Sequence, residues 1–536
     1  MIEEGLCQQP ERPFLASNWR LSIAFLLIFA VAALARVPAL ALRPMHGDEA
    51  NQAYRTGLLL EQSIYRYDPA EHHGPTLYYF TLPVAWLTGK HTFADTTETT
   101  YRLVPVLFGL GMMLLLWSFA GALGRPAILC AALLAALSPA TVFYSRYYIQ
   151  ETILVFLTFA AIVSGWRYTQ ARRLHWALLT GLCIGLMHAT KETCILAYAA
   201  MIGALAITSF SVRNLPFNPN SNFKSQISNL KFHFVAGLAV ASAVSVLFFS
   251  SFFTNLSGPW DSIRAYQTYL GRADGAGVHD KPWYYYLSLL LFTKKTRGLW
   301  WSEAAILLPA LLGIAIAVFP KPRNSTPGPG FLLLRFLAWF TILLTVIYSL
   351  IPYKTPWCVL TFLQGIILLA GAGTAWLFGQ LSNRVGKSTL AFLGILCLFH
   401  LGWQSYRANY VYPADWRNPY VYAHTVTSLV RLADRVEQIA EVSPDGLHML
   451  IKVIAPDGDY WPLPWYLRKF DHVGYWNELP NDSDADMVIV SPRLQSGLDA
   501  KIRDSYQVEF YGLRPGVMLL AYTRSDLWEK FMQSRR

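Results

Sequence analysis

Eleven apolar segments, each long enough or nearly long enough to cross a lipid bilayer, constrain this chain more than any other feature of its sequence. They lie at residues 21–40, 102–120, 126–143, 149–165, 175–190, 192–209, 233–253, 302–319, 331–351, 357–379 and 387–404. A transmembrane helix needs about 20 predominantly apolar residues. Only 14% of the residues are charged, against roughly 25% in soluble domains. The sequence therefore predicts a mainly α-helical, polytopic membrane protein with about eleven spans.

A further apolar segment, TLYYFTLPVAWLTG at residues 76–89, is 14 residues long and contains a proline. Segments of this length are as readily interfacial or re-entrant as spanning. If this segment does not cross and the N-terminus is inside, the inside loops carry Lys and Arg at high density with only three acids. The positive-inside rule favours that arrangement. We therefore expect an interfacial 76–89, an uncleaved first span and a location in the cell (plasma or inner) membrane.

The chain changes character after residue 404, where charged residues become frequent and the apolar runs become short. Strand-like runs follow a helix-like stretch at 421–442, and they lie at residues 449–456, 485–492 and 515–523. Alternation of short apolar runs with a helical pattern is typical of an α/β domain. The sequence predicts a transmembrane domain at 1–404 and an α/β domain at 405–536 on the extracytoplasmic side.

The net charge of +11 invites comparison with nucleic-acid-binding proteins. Here the basic residues are spread over short loops rather than gathered in one stripe, so the charge reflects membrane topology. We expect membrane lipid, and no nucleic acid, among the partners.

Unusual polar clusters fall on one side of the membrane in this topology. They are MHGDEA (45–50), EHHGPTLYY (71–79), FYSRYYIQET (143–152), HATKETC (188–194), GVHDKPWYYYL (277–287) and IPYKTPWC (351–358). Ionisable groups near a membrane are costly to keep and commonly line a functional cavity. The sequence predicts one chamber formed by Asp48, Glu49, His73, Arg146, Glu151, Lys191, Glu192, His279 and Lys354.

The order of these clusters resembles the polyprenyl-phosphate-sugar-dependent membrane glycosyltransferases of the GT-C class, which include protein O-mannosyltransferases and lipid A aminoarabinose transferases. The matching elements are Asp48-Glu49, His73-Gly74-Pro75, Ser145-Arg146 with Glu151, Thr190-Lys191, His279 to Tyr286, and Lys354 with Pro356. The segments WPLPWYLR (461–468) and HGPTLYY are also similar to a prokaryotic subgroup associated with flippase activity. The resemblance covers roughly residues 20–404 and implies a GT-C-type fold with interfacial helices.

The resemblance implies an inverting transfer of a sugar from a polyprenyl phosphate to an acceptor on a protein, lipid or glycan. A single displacement needs one carboxylate to accept the proton of the acceptor hydroxyl. Asp48 matches the catalytic base of the family, and Glu49 is expected to position partners by pairing with Arg146. The alternatives are that Glu49 is the base, or that both acids only complement a helix dipole.

A leaving phosphate needs positive charge nearby. Lys191 and Lys354, with Tyr353 beside the latter, are expected to bind the donor, together with Arg146 and Glu151. The alternatives without substrate binding are a structural Arg146–Glu151 ion pair and lysines whose side chains extend from helix ends to the membrane surface.

His73 and His279 match positions that bind a divalent metal in the aminoarabinose transferases, and two imidazoles suit zinc or another transition ion better than magnesium. The alternative is interfacial hydrogen bonding, and His72 competes with its neighbour as the ligand. The sequence departs from the family at Gly74, where the family has Lys, and at Asn51, where it has Arg. We therefore expect Arg55 to supply a phosphate contact.

Two other function classes compete with a glycosyltransferase. A lipid-linked-sugar flippase or transporter would place ionisable residues near the membrane midplane and show internal repeats, and neither is found in this sequence. A non-catalytic component of a membrane glycan assembly would not need six polar elements on one side.

Overall fold

The computed structural model describes residues 19–210, 223–273, 279–295, 298–319, 329–503 and 505–535. Residues 277 and 278 of the GVHDKPWYYYL cluster lie outside these ranges. The helices are α1 (Trp19–Arg36), α2 (Gly47–Gln62), α3 (Thr76–Leu87), α4 (Glu98–Trp117), α5 (Ala120–Leu123), α6 (Arg125–Leu137), α7 (Pro139–Ser145), α8 (Glu151–Ala171), α9 (Leu174–His188), α10 (Cys194–Phe210), α11 (Phe223–Phe249), α12 (Gly258–Ala273), α13 (Tyr285–Leu291), α14 (Ala304–Val318), α15 (Pro329–Leu350), α16 (Leu360–Gln380), α17 (Arg384–Tyr406), α18 (Thr427–Val442), α19 (Leu463–Tyr466), α20 (Gln495–Asp499) and α21 (Ser525–Ser534).

Every apolar segment of the sequence forms a helix, but the helices differ in length. Seven in the described part of the chain are long and apolar enough to cross a membrane, namely Trp19–Arg36, Glu98–Leu123, Glu151–Ala171, Asn229–Phe249, Pro329–Leu350, Pro356–Gln380 and Arg384–Val411. The pair α6 and α7, bent by 62°, makes an eighth if it is one span. The three remaining segments form the shorter apolar helices α9, α10 and α14. The mainly α, multi-pass fold is therefore confirmed.

The segment 76–89 forms helix α3, which has 12 residues. At 1.5 Å per residue this helix is about 18 Å long, well short of the roughly 30 Å hydrocarbon core. Its length is that of an interfacial helix.

Close helix contacts in the apolar bundle depend on glycine. A Cβ at Gly313 on α14 would lie 2.0 Å from the carbonyl oxygen of Leu369 on α16, and one at Gly373 would lie 2.2 Å from that of Pro309. Small residues let helix backbones approach closely, which is a main source of packing energy in membranes. The pair α14–α16 is therefore held by complementary shape at two glycines.

We expect Gly313→Ala to lower the stability of the protein by about 1–3 kcal/mol, because the added methyl group meets backbone that cannot move aside. The measurement is the apparent melting temperature in detergent. Gly394→Ala is the control, since a Cβ at Gly394 on α17 meets nothing within 4 Å and should leave the melting temperature unchanged or raised. Equal melting temperatures for both variants would contradict this packing account.

The C-terminal part contains the predicted α/β fold. The strands of its sheet are β3 (Ile451–Ile454), β4 (Val473–Trp476), β5 (Met487–Val490), β6 (Tyr506–Arg514) and β7 (Val517–Arg524), and β1 (Thr293–Lys294) pairs with β2 (Trp300–Trp301) in a separate hairpin. The five-stranded order is β4-β3-β5-β7-β6, with β3 parallel to both neighbours and β7 antiparallel to both of its own. Apolar side chains of β3 and β5 form one core with those of α18 and α21.

The sequence located three of these strands, β3, β5 and β7, and the helix α18. Helix α18 begins at Thr427 rather than at 421, and residues 421–426 run outside it toward the transmembrane part. The division into domains at residue 404 stays a prediction. Helix α17 continues to Tyr406 and is followed by a π-helical turn over Arg407–Val411.

Candidate active site

The acids Asp48 and Glu49 occupy the first turn of α2. His46 caps this helix, because its Nδ1 accepts a hydrogen bond of 3.0 Å from the Asp48 amide. The Glu49 carboxylate in turn accepts a hydrogen bond of 3.1 Å from the His46 amide. This reciprocal arrangement is a capping box, and it fixes the directions in which the two neighbouring carboxylates point.

Glu49 is completely buried and neutralised by arginine. Nε and Nη2 of Arg102 donate to its two carboxylate oxygens over 2.8 and 2.6 Å, and Nη2 of Arg43 lies 3.5 Å from Oε1. The Tyr148 amide donates a further bond of 2.9 Å. Burial by itself raises the pKa of Glu49, but the two guanidinium groups and these hydrogen bonds hold that pKa well below its usual range. The expected pairing of Glu49 with Arg146 is wrong.

Arg146 instead contacts the end of α1 and the residues that follow it. Its guanidinium donates to the carbonyl oxygens of Arg36 at 2.8 Å, Pro38 at 2.7 Å and Ala39 at 3.0 Å, and it packs over the ring of Tyr410. Carbonyl groups at a helix C-terminus lack partners within the helix and attract cations. This geometry therefore ties the end of α1 to α7, and it pairs Arg146 with neither predicted acid.

Asp48, in contrast to its neighbour, is half-exposed, with 51% of its side chain accessible. Its Oδ2 lies 3.8 Å from Nδ1 of His46. The carboxylate is close enough to act electrostatically on Tyr147, His279 and Tyr422. Nδ1 of His279 and the Tyr422 hydroxyl are 2.6 Å apart. Burial lowers the pKa of His279, and the negative charge of Asp48 opposes that effect.

Two distant sequence clusters meet at His279, on which the charge of Asp48 acts. Asp280 and Tyr353 form an antiparallel bridge, and the Lys354 amide donates a hydrogen bond of 3.0 Å to the carbonyl oxygen of His279. The Lys354 ammonium is buried and donates to the carbonyl oxygen of Lys281 at 3.2 Å. Burial lowers the pKa of Lys354. The structure thus brings two lysines, a histidine and a tyrosine to the same side of the site.

Arg55 lies two turns after Asp48 on α2 and pairs with Glu71, whose side chain is 56% exposed. The Arg55 Nε and the Asn51 Oδ1 are buried without a hydrogen-bond partner in the described part of the chain. Two unsatisfied polar atoms on the same helix face are costly unless a further group binds there.

His73 belongs to a neighbouring buried cluster. Its Nδ1 lies 2.8 Å from the Glu192 carboxylate and 2.7 Å from the Tyr269 hydroxyl. The adjacent Gly74 has no room for a side chain, since a Cβ there would lie 2.4 Å from the carbonyl oxygen of Ala189. A lysine at this position, which the resemblance implies, would therefore not fit unless the backbone shifted.

Lys191 and Glu151 are both buried and form an ion pair with each other. Their charges cancel, so the pair offers no net positive charge to a phosphate. The alternative of a structural Arg146–Glu151 ion pair is wrong, because Glu151 pairs with Lys191 instead.

The residues present do not fit a metal centre. Within the described residues, no group of three or more His, Cys, Asp or Glu side chains is arranged to hold a metal ion. Nδ1 of His73 and Nδ1 of His279 are each engaged with a protein side chain. The divalent metal that the resemblance implies stays a prediction.

Three residues of the site were missed from the sequence. Arg102 carried a signal, since a charge at the end of an apolar segment usually has a buried partner. His46 lay inside the quoted cluster MHGDEA but was not assigned a role. Tyr422 carried no signal, because it precedes α18 in a stretch without a recognisable motif.

Comparison with known protein families matches one part of the chain. A family model described as dolichyl-phosphate-mannose-protein mannosyltransferase matches residues 73–217, which is less than half of the chain. No curated protein sequence matches the chain. The sequence match thus lies on the part that carries His73, Arg146 and Lys191.

The fold is similar to that of solved membrane glycosyltransferases. ArnT from Cupriavidus metallidurans bound to undecaprenyl phosphate is similar with a TM-score of 0.59 and 15% identity, over 92% of this chain and 97% of that one. AglB, the oligosaccharyltransferase of Archaeoglobus fulgidus, in complex with an inhibitory peptide and a dolichol-phosphate, is similar with a TM-score of 0.55 and 11% identity, over 96% and 75%. A complex of that oligosaccharyltransferase with Zn and sulfate is similar with a TM-score of 0.53 and 12% identity, over 96% and 76%. The predicted resemblance to polyprenyl-phosphate-dependent membrane glycosyltransferases is confirmed.

Proposed function

We propose that this protein is an inverting glycosyltransferase that moves a sugar from a polyprenyl phosphate to an acceptor hydroxyl, with Asp48 as the general base. The observation that carries the proposal is the contrast within the acid pair. Glu49 is buried and neutralised by two arginines, whereas half of the Asp48 side chain is accessible. Only Asp48 of the two is available to a substrate without the loss of a buried ion pair.

The reaction follows from one displacement at the anomeric carbon. The acceptor oxygen gives its proton to the Asp48 carboxylate as it forms a bond to the sugar. The bond from the sugar to the phosphate oxygen breaks on the opposite face, and the polyprenyl phosphate leaves as an anion. No covalent sugar–enzyme intermediate is formed, so the configuration inverts.

The leaving phosphate needs cations that are already in place. Lys354 and Lys281 lie with His279 and Tyr353, His279 is within electrostatic reach of Asp48, and we assign the phosphate to this group. Arg55 is a second contact, since its pair with the exposed Glu71 is of a kind worth little in water and a phosphate can replace the carboxylate. The neutral pair Lys191–Glu151 shapes the site rather than binding charge.

The acceptor is a protein, lipid or glycan hydroxyl, and we place the reaction on the extracytoplasmic side of the cell membrane. The dense basic residues in the predicted inside loops support that orientation. Relatives of the same fold are described with dolichol-phosphate and an inhibitory peptide, or with undecaprenyl phosphate, which supports a lipid-phosphate donor.

The experiment that tests the activity uses purified protein in lipid nanodiscs with a panel of radiolabelled polyprenyl-phosphate sugars and a membrane extract as the acceptor source. We expect label to move from the lipid to a protein, lipid or glycan fraction. In parallel, liposomes with a labelled donor on one leaflet measure movement across the bilayer. Leaflet exchange without any transfer would overturn the enzyme assignment in favour of a flippase.

We expect Lys354→Gln to raise the KM for the donor about tenfold or more, since a hydrogen bond to a charged group contributes about 1.5–3 kcal/mol. Lys530→Gln is the control, because that exposed lysine lies on α21 of the C-terminal domain. The measurement is initial transfer rate against donor concentration, together with the melting temperature of each variant. An unchanged donor KM in a folded Lys354→Gln protein would remove Lys354 from the phosphate site.

A further inference from the structure

The chain just before Asp48 is held by residues from the C-terminal part of the molecule. The carbonyl oxygen of Pro44 accepts a hydrogen bond of 3.2 Å from Nε2 of His424. The Met45 amide donates one of 2.9 Å to the Tyr466 hydroxyl. Two successive residues before the helix cap are therefore fixed by groups 380 and 421 positions away in the sequence.

The cap residue has a third such contact. Because Nδ1 of His46 accepts from the Asp48 amide, the ring proton sits on Nε2, and Nε2 donates to the carbonyl oxygen of Tyr422 over 3.0 Å. This hydrogen-bond chain runs from the segment before α18, through the imidazole, to the backbone of Asp48.

Tyr466 is itself held in place. It ends the short helix α19, in which Trp465 is completely buried and donates through Nε1 to the Glu98 carboxylate at 3.0 Å. Nη2 of Arg468 donates to the carbonyl oxygen of Thr96 over 2.8 Å. Helix α19 is thus fixed against the start of α4, the helix that also carries the Arg102 partner of Glu49.

We propose that Tyr466 is a positioning residue for Asp48, so that the C-terminal domain is a structural part of the active site rather than a separate lid. This inference rests on the proposed function for its catalytic consequence. The Tyr466 hydroxyl acts through the Met45 amide on the residues that cap α2, and we assign it no direct contact with the reacting groups. A fixed first turn of α2 keeps the Asp48 carboxylate at the distance that proton transfer requires.

The test compares Tyr466→Phe with Tyr522→Phe, each of which removes one hydroxyl from the same domain. The Tyr522 hydroxyl donates a hydrogen bond of 2.7 Å to Asp499, away from α2. We expect Tyr466→Phe to lower kcat about three- to tenfold, as the loss of one neutral hydrogen bond implies, and to leave the donor KM within about twofold. Tyr522→Phe should leave kcat unchanged, with a similar change in melting temperature.

A second measurement does not depend on activity. Amide hydrogen exchange of the segment 44–52, followed by mass spectrometry, should be faster in Tyr466→Phe than in wild type and unchanged in Tyr522→Phe. Unchanged exchange in Tyr466→Phe would overturn the anchoring even if the enzyme is active. Faster exchange with a kcat equal to that of the control would overturn the positioning role. If wild type transfers no sugar, the proposed function fails, while the exchange result still decides the anchoring.

Discussion

The Asp48→Asn protein is expected to fold, insert and bind donor like wild type but to transfer sugar about 10²- to 10⁴-fold more slowly, the range that a general base contributes. Asparagine keeps the shape of the side chain and cannot accept the proton. The Asp48 carboxylate is half-exposed, and the one ionisable group within 4 Å among the described ion pairs is the cap residue His46. Removal of the negative charge of Asp48 should therefore lower the stability of the protein only slightly.

The measurement is single-turnover transfer by purified protein, with the melting temperature recorded for each variant. Asp457→Asn is the control, since that carboxylate is 79% exposed in the C-terminal α/β part of the chain. A folded Asp48→Asn protein that keeps more than about a tenth of the wild-type rate would be inconsistent with a general base that contributes at least about 10²-fold.

Glu49→Gln, one residue further on, is expected to lower the stability of the protein rather than the catalytic rate alone. The substitution leaves the Arg102 and Arg43 guanidinium groups buried without a counter-charge, and loss of one partner of a buried ion pair costs about 3–5 kcal/mol. We expect a much lower melting temperature and a low yield of folded protein. Glu71→Gln is the matched control, because Glu71 pairs with Arg55 at the exposed surface and should change stability little.

The depressed pKa of Glu49 also gives this pair a pH dependence with a definite sign. A carboxyl group whose pKa is lower in the folded state contributes stability above its unfolded pKa of about 4.3, and that contribution is lost as the pH falls. Wild type should therefore lose stability in acid more steeply than Glu49→Gln, which has no proton to take up at this position. Equal acid sensitivity of the two proteins would contradict the account of the ion pair.

The sequence predicted the fold well where the pattern is periodic and local. Apolar segments of about 20 residues are long enough to span a membrane as helices. Strand β5, buried on both faces, is a continuous apolar run, and β3 is apolar except at Lys452. Strand β6 was missed because it is an edge strand with charged and exposed positions, such as Glu509 and Phe510, so its sequence lacks that signal.

The sequence predicted where the site lies, but it did not predict which role each charged residue has. The position of Asp48 and Glu49 after the first span marks the pair, but their roles depend on Arg102, which comes from α4. Likewise Arg146 is taken up by carbonyl groups at the end of α1 and Lys191 by Glu151. Such contacts depend on how distant segments pack, and spacing along the chain does not encode them.

The anchor at Tyr466 shows the same limit over a longer distance. Its hydroxyl meets the Met45 amide only because α19 docks against the start of α4 through Trp465. The segment WPLPWYLR is recognisable as aromatic-rich, yet no local pattern indicates that its tyrosine accepts a hydrogen bond from the Met45 amide.

One measurement tests the central claim most directly, namely the anomeric configuration of the product formed by the purified protein from a donor of known configuration. NMR of the transferred sugar gives that configuration from the coupling at the anomeric proton. A single displacement with Asp48 as base predicts complete inversion, and Asp48→Asn should form the same product about 10²- to 10⁴-fold more slowly. A product with retained configuration would require a covalent intermediate or a different mechanism, and it would contradict the account.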